Sequence, residues 1–483
     1  MMPNRARASE GLLVEWDRAR YKKGTSLNAF PIYEEGKRVG MPGHDRMKAA
    51  SPIVTALLAA AVLASAIAAF AILWRQAYAA PFQDDYSALL KFAGDFERLQ
   101  SVNGKVLLIA SAQHTEYKLV FEHSVVAAEL TLTHRLSFEF LQSLGDLFLL
   151  PIGWLLWLTY GGRERRLRAR LAHFLPASLI FFGLAYWETV DWAMAGLQNL
   201  PVVFFSLLSI YLLADGEATE VGERLAVGRF AWASAAGALA AFSSANGFLV
   251  AVVGVWILLM SRKYWACIWW GASFVIPLAA YLYHYVKVSR QVTGLYYVAR
   301  PLEVFAFLGM AAGSFWGALV AGFAVAAVVW SALKSRYVRE NPVGVYWTVW
   351  ILLSALPVAW VRGSTGVVIA SRYSVYSCLM LVFCYAFLAD RAAVRRDGWA
   401  RTFYPVALVV ATAFCLWKDT QAFDKLGMRS EMIRAGMAHY KENPAVNSPL
   451  IDAFVIKDVP GEDKFERQEL SREIENGIYT MSE

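Results

Sequence analysis

Long apolar runs separated by short polar stretches make up most of this chain. They fall near Pro52–Trp74, Phe140–Tyr160, Phe174–Trp187, Leu197–Leu213, Phe230–Phe242, Phe248–Met260, Tyr264–Tyr283, Phe305–Leu333, Tyr346–Val361, Val375–Leu388 and Phe403–Leu416. A run of ~20 apolar residues is long enough to cross a bilayer as a helix. The pattern predicts an all-α polytopic membrane protein with about eleven transmembrane helices, the segments near Phe174 and Phe230 being short and tilted or broken.

Three stretches break the rhythm. Residues 1–50 are polar and mixed in charge, which predicts a disordered cytoplasmic segment. Met47, just before the first apolar run, is an alternative start of translation. Ala77-Tyr78-Ala79 has the small residues of a cleavage site, but the apolar run before it exceeds the ~7–15-residue core of a signal peptide. Residues 51–417 read as the membrane domain, with a long first outer loop over 75–138. In that loop Pro81 and Asp84 resemble a helix start, and Tyr86, Leu89, Leu90, Ala93 and Phe96 recur at helical spacing, predicting an amphipathic surface helix. Asn103-Gly104 predicts a turn, and a second helix is expected from about Glu116 to Leu132, with Glu116 and His123 on one face. Residues 418–483 read as a small outer tail with helical pieces near Ala422–Tyr440 and Glu466–Asn476.

Composition agrees: 58% of the 483 residues are hydrophobic and 18% charged, with a mean hydropathy of +0.40. The net charge of +7 is no nucleic-acid footprint, because Lys and Arg gather in short loops where topology explains them. Arg163, Arg165, Arg166, Arg168 and Arg170, then Arg262 and Lys263, Lys334, Arg336 and Arg339, and Arg391, Arg395 and Arg396 place alternate loops on the cytoplasmic side, with a cytoplasmic N-terminus. The four cysteines lie inside apolar runs without metal-ligand spacing.

Against this background, polar side chains just beyond span ends are the candidate chemistry. Asp84-Asp85 follows the first span. One Asp would suffice as a helix cap, and two suit a general base or a divalent-cation site for Mg or Mn. His114, Glu116, Lys118 and His123 form a second polar cluster, with a solvated helix start as the plainer reading. Trp187, Glu188, Asp191 and Trp192 place rings beside carboxylates, which suits an interface belt or a sugar site. Asn246 lies in a tight hairpin. Lys287, Arg290, Arg300 and Arg372 stand where positive charge is disfavoured, which suits snorkelling to headgroups or a phosphate clamp.

Gln83-Asp84-Asp85-Tyr86, following the first span and opening a long outer loop, resembles the acidic motif of the GT-C class of membrane glycosyltransferases. His114-Thr115-Glu116-Tyr117-Lys118, Ser244-Ala245-Asn246-Gly247 and Ser371-Arg372-Tyr373 are similar to motifs in a group of bacterial multi-pass proteins of that class. Tyr117 and Lys118 depart from the His and Arg usual there. The resemblance implies a polyprenyl-phosphate sugar donor, and the reading it supports is transfer of that sugar to an envelope glycan, lipid or protein at the outer face of the bacterial inner membrane. It assigns a base or metal-ligand role to Asp84 and Asp85, and a lipid-phosphate role to Arg372. Lys287, Arg290 and Arg300 are further phosphate candidates, and Trp187, Glu188, Asp191, Trp192 and Asn246 sugar candidates. The rival readings are a lipid or polysaccharide flippase and a non-catalytic assembly protein. A flippase predicts ionisable residues at midplane, and the spans are nearly free of acids apart from Asp146.

Overall fold

A computed structural model describes residues 52–76, 80–115, 117–162, 166–218, 223–287, 294–362, 371–394, 399–442 and 462–481. The expectations for residues 1–50, Glu116 and Arg290 lie outside the described residues.

The chain is helical nearly throughout. The first helix, α1 (Pro52–Gln76), ends before the Asp84-Asp85 loop. A wide helical turn over Tyr86–Leu90 leads into α2 (Lys91–Arg98) and α3 (Val102–Ser111). The strands β1 (Gln113–His114) and β2 (Tyr117–Lys118) form an antiparallel hairpin before α4 (Val120–Thr133). Then come α5 (Phe138–Leu147), α6 (Leu149–Tyr160), α7 (Leu167–Phe182), α8 (Trp187–Val190), α9 (Ala193–Ala218) and α10 (Glu223–Ser243). The chain continues with α11 (Leu249–Met260), α12 (Tyr264–Ser273), α13 (Val275–Leu282), α14 (Gly294–Leu308), α15 (Phe315–Leu333) and α16 (Tyr337–Glu340). It finishes with α17 (Pro342–Arg362), α18 (Ser374–Val394), α19 (Trp399–Glu442) and α20 (Glu462–Glu475).

Eight helices among the described residues are long and apolar enough to cross a membrane, and the chain is an all-α polytopic membrane protein. Three of the eleven expected segments do not meet that measure: α7 and α11 are short, and α10 opens with Glu223, Arg224 and Arg229. The run expected to span from Phe305 breaks at Gly309–Gly313, so its spanning helix starts at Phe315. Side chains such as Ile53, Leu57, Ile67, Trp265, Trp269, Ile276, Val409 and Val410 are exposed, a surface that suits lipid.

Two cores hold the molecule together. The larger runs through the bundle, with Trp270, Trp350, Tyr337 and Phe383 fully buried. The second forms a cap beyond one end of the bundle. Phe82, Tyr86, Leu89, Phe92 and Phe96 from the first interhelical segment pack with Met194 and Leu197 at the start of α9. Ile433, Met437 and Tyr440 of α19 and Leu470 and Tyr479 of the tail complete it. Fully burying each such side chain contributes about 1.5–3 kcal/mol. Arg98 reaches across to Glu473 at 2.8 Å, and Leu136 pairs with Tyr479.

Three local expectations are corrected. Asn103-Gly104 is no turn: it lies in the first turns of α3, capped by Ser101, whose hydroxyl accepts from the Gly104 amide at 3.1 Å. The second helix begins at Val120 rather than near Glu116. The boundary at 417/418 falls inside α19, one unbroken helix of 44 residues.

Candidate functional site

The Asp84-Asp85 loop is shaped by two unusual backbone features. Gln83 has φ of 47°, a left-handed conformation uncommon for a residue with a side chain. The wide turn over Tyr86–Leu90 follows at once, a rare geometry that is frequent at functional sites. The hairpin opposite has its own left-handed residue, Thr115 at φ 48°, as a tight two-residue turn requires. Together they bring Asp84 and His114 into contact.

The two aspartates have different jobs. Asp85 is 1% exposed, and both its oxygens accept backbone amides, from Phe82 at 3.0 Å and from Met194 at 2.9 Å. The second bond caps the start of α9, as an Asp does at a helix N-terminus. Burial pushes this carboxyl up to about 8, against the pull of the two amides, and the neighbouring charge of Asp84 adds to the rise. Asp84 is more open: its Oδ1 lies 3.3 Å from His114 Nε2, while His114 Nδ1 lies 3.1 Å from the Ser87 hydroxyl. With Nε2 protonated, His114 donates to Asp84 and accepts from Ser87. Both Asp85 oxygens are engaged by amides, whereas Asp84 is open to the crevice. Among the described residues no group of three or more His, Cys, Asp or Glu side chains could hold a metal ion.

Asp84 and His114 line a small crevice of about 30 Å³ together with Trp192, Gln198, Arg372 and Tyr373. Arg372 lies 5.4 Å from the ring centroids of both Trp192 and Tyr373. Its helical turn, Ser371–Tyr373, is tied down by Glu188. That carboxylate accepts from the Ser371 hydroxyl at 2.7 Å and from the Arg372 amide at 3.3 Å. Thr189 then donates to the Arg372 carbonyl at 2.7 Å. A larger groove of about 590 Å³ opens on the other side of the same turn, lined by Trp187, Glu188, Ser371, Trp417, Lys418 and Lys425 among others.

Other sequence candidates fall elsewhere. His123 is stacked on Phe92 at 4.0 Å with Nε2 donating to the Ala88 carbonyl, and burial pushes it down to about 3. Lys118 is buried and donates to the carbonyls of Ser111 and Tyr283, closing the ends of α3 and α13. Of the described members of the expected polar cluster, His114 reaches Asp84. Asp191 is buried beside Arg429, and burial pushes it up to about 7. Asn246 donates to the Tyr376 hydroxyl at 2.8 Å inside the bundle. Arg300 is buried on α14, Lys287 is exposed, and neither lines the crevice or the groove.

Arg429 was not foreseen. It projects from α19 with its guanidinium 4.4 Å from the Phe82 ring centroid and 4.5 Å from that of Trp187. It lies 3.8 Å from Glu188 and 3.6 Å from Asp191. One side chain thus joins the Asp84 loop, α8 and, through Glu188, the Arg372 turn. Its sequence signal is the spacing of Lys418, Gln421, Lys425 and Arg429, a polar stripe on one helical face. No known family profile matches the chain, and no curated protein or solved structure is detectably similar to it.

Proposed function

We propose that this chain is a membrane glycosyltransferase that moves a sugar from a polyprenyl-phosphate donor to an envelope glycan, lipid or protein. The observation that carries the reading is Asp84, paired with His114, facing Arg372 across one crevice at the cap end of the spans. Asp84 takes the proton from an acceptor hydroxyl as its oxygen attacks the anomeric carbon. The bond from that carbon to the phosphate oxygen breaks, and Arg372 offsets the charge gathering on the departing lipid phosphate. His114 holds the Asp84 carboxylate in place. Trp192, packed against both Phe82 and Arg372, walls the crevice. The crevice admits little more than water as it stands, so a donor enters with movement of the Ser371–Tyr373 turn or the hairpin.

The cap supports an outward-facing site. The first interhelical segment and the tail share one core, so an odd number of crossings separates the start of α1 from the end of α19. Eight apolar helices plus α7, α10 and α11 give eleven, an odd total. The basic loops then lie in the cytoplasm and the cap faces outward from a bacterial inner membrane.

The test compares envelope glycans and polyprenyl-linked sugars by mass spectrometry in a deletion strain complemented with wild type, Asp84→Asn or Arg372→Ala at equal membrane abundance. Wild type restores one missing sugar. Each variant lowers the transfer rate by about 10²–10⁴-fold, the range for losing a general base or a charge-stabilising group. Full restoration by both variants overturns the transferase reading and leaves transport or assembly.

A further inference from the structure

The larger groove, across the Ser371–Tyr373 turn from Asp84, has a chemistry of its own. Lys418 is 5% exposed yet lines the cavity. Its ammonium lies 3.4 Å from the Gln421 side-chain oxygen and 3.8 Å from the Trp417 ring centroid. Among the described residues no carboxylate forms an ion pair with it. An ammonium withdrawn from water costs free energy unless an anion or strong acceptors replace its hydration. Gly313 lies close against it, with φ of +86°, and a Cβ there would stand a tight 3.2 Å from the Lys418 nitrogen.

The surrounding groups fit the same ligand. Lys425, two turns along the same face of α19, is exposed at the groove and 5.4 Å from the Trp187 ring centroid. Ser314 caps the start of α15 by accepting from the Gly317 amide at 3.2 Å, so the positive end of a 19-residue helix faces this side. The one acid at the wall, Glu188, is already met by Ser371, the Arg372 amide and Arg429. At about 590 Å³ the groove holds far more than a bare ion. Two apolar candidate spans, Phe315–Leu333 and Ser371–Val394, begin at its edge, the placement that suits a ligand held at the phosphate layer of a leaflet.

We propose that this groove is a phosphate-binding site, with Lys418 and Lys425 as its cationic groups, for the phosphate ester of a headgroup-sized ligand. The assignment stands apart from the transferase reading, because Asp84 and His114 take no part in it. The experiment uses the full chain in neutral detergent micelles, titrated with phosphatidic acid, diacylglycerol or inorganic phosphate and read by native mass spectrometry. Phosphatidic acid binds and diacylglycerol does not. The double variant Lys418→Gln, Lys425→Gln weakens binding by about tenfold or more. Gln421→Glu does the same by placing a carboxylate against the Lys418 ammonium. It leaves no buried charge unpaired, so it decides the matter if the double variant fails to fold. Competition by inorganic phosphate at similar concentrations identifies free phosphate as the source, and its absence identifies a lipid headgroup. The site is overturned if both variants bind phosphatidic acid as wild type does, or if Lys334→Gln, at the far end of α15, weakens binding equally.

Discussion

At the scale of single residues, neighbouring carboxylates that are equivalent in sequence become a buried cap and an open acid. Nothing in Gln83-Asp84-Asp85-Tyr86 separates them, because the difference lies in the Met194 amide, 109 positions away. Asp85→Ala leaves the Phe82 and Met194 amides without their acceptor and should cost about 3 kcal/mol, measured as a lower thermal midpoint in detergent. Asp84→Asn should leave that midpoint close to wild type. Asp85, at about 8, and Asp191 and Glu129, each at about 7, hold protons in the native state that the unfolded chain releases near pH 4. Between about pH 4 and 8 the native state therefore binds more protons, and stability falls as pH rises. The midpoint should be higher at pH 5.5 than at pH 8.5, and the gap should narrow in Asp85→Ala. A flat profile would remove the buried carboxyls as its cause.

At the scale of elements, periodicity foretold most helices and missed what depends on contact. The hairpin at residues 113–118 has strands of two residues each, too short to show alternation, so its residues read as a helix start. Lys418-Asp419-Thr420 made α19 look finished at the membrane surface. Ala422, Leu426, Ile433, Met437 and Tyr440 nevertheless recur at spacings of three, four or seven and are buried in the two cores, which carries the helix onward. Arg429 is the polar member of that extension. Arg429→Met leaves Glu188 and Asp191 without their cation and should cost about 3 kcal/mol of stability. Adding Asp191→Asn to that variant should recover part of the loss, and strict additivity of the two substitutions in thermal unfolding would dissolve the proposed link.

At the scale of the whole molecule, the apolar runs announce a polytopic bundle, whereas the cap could not be read from them. Its core draws on residues from Ala80 to Tyr479, pieces that are individually too short and too mixed to declare a shared interior. A cysteine in place of Asn476, beside the bridge of Leu136 with Tyr479, should react with a membrane-impermeant maleimide in intact spheroplasts if the cap faces outward. One replacing Arg336, between α15 and α16, should stay unlabelled until the membrane is opened. The reverse pattern would invert the topology.

The unbroken course of α19 has a mechanical consequence. Its 44 residues make a shaft about 66 Å long, roughly twice the hydrocarbon thickness of a bilayer. Pro405, near its membrane end, is the natural pivot. The lever beyond that pivot carries Lys418, Lys425 and Arg429 in sequence, and Ser430 bonds it to the last carbonyl of α1 at Gln76. Helices adjust to bilayer thickness by tilting, and a few degrees at the pivot displace the far end by several ångströms. A change of lipid thickness should therefore be felt at the crevice and groove. The rate of transfer should accordingly differ between vesicles of short and long acyl chains, with substitution of Pro405 by alanine blunting the difference.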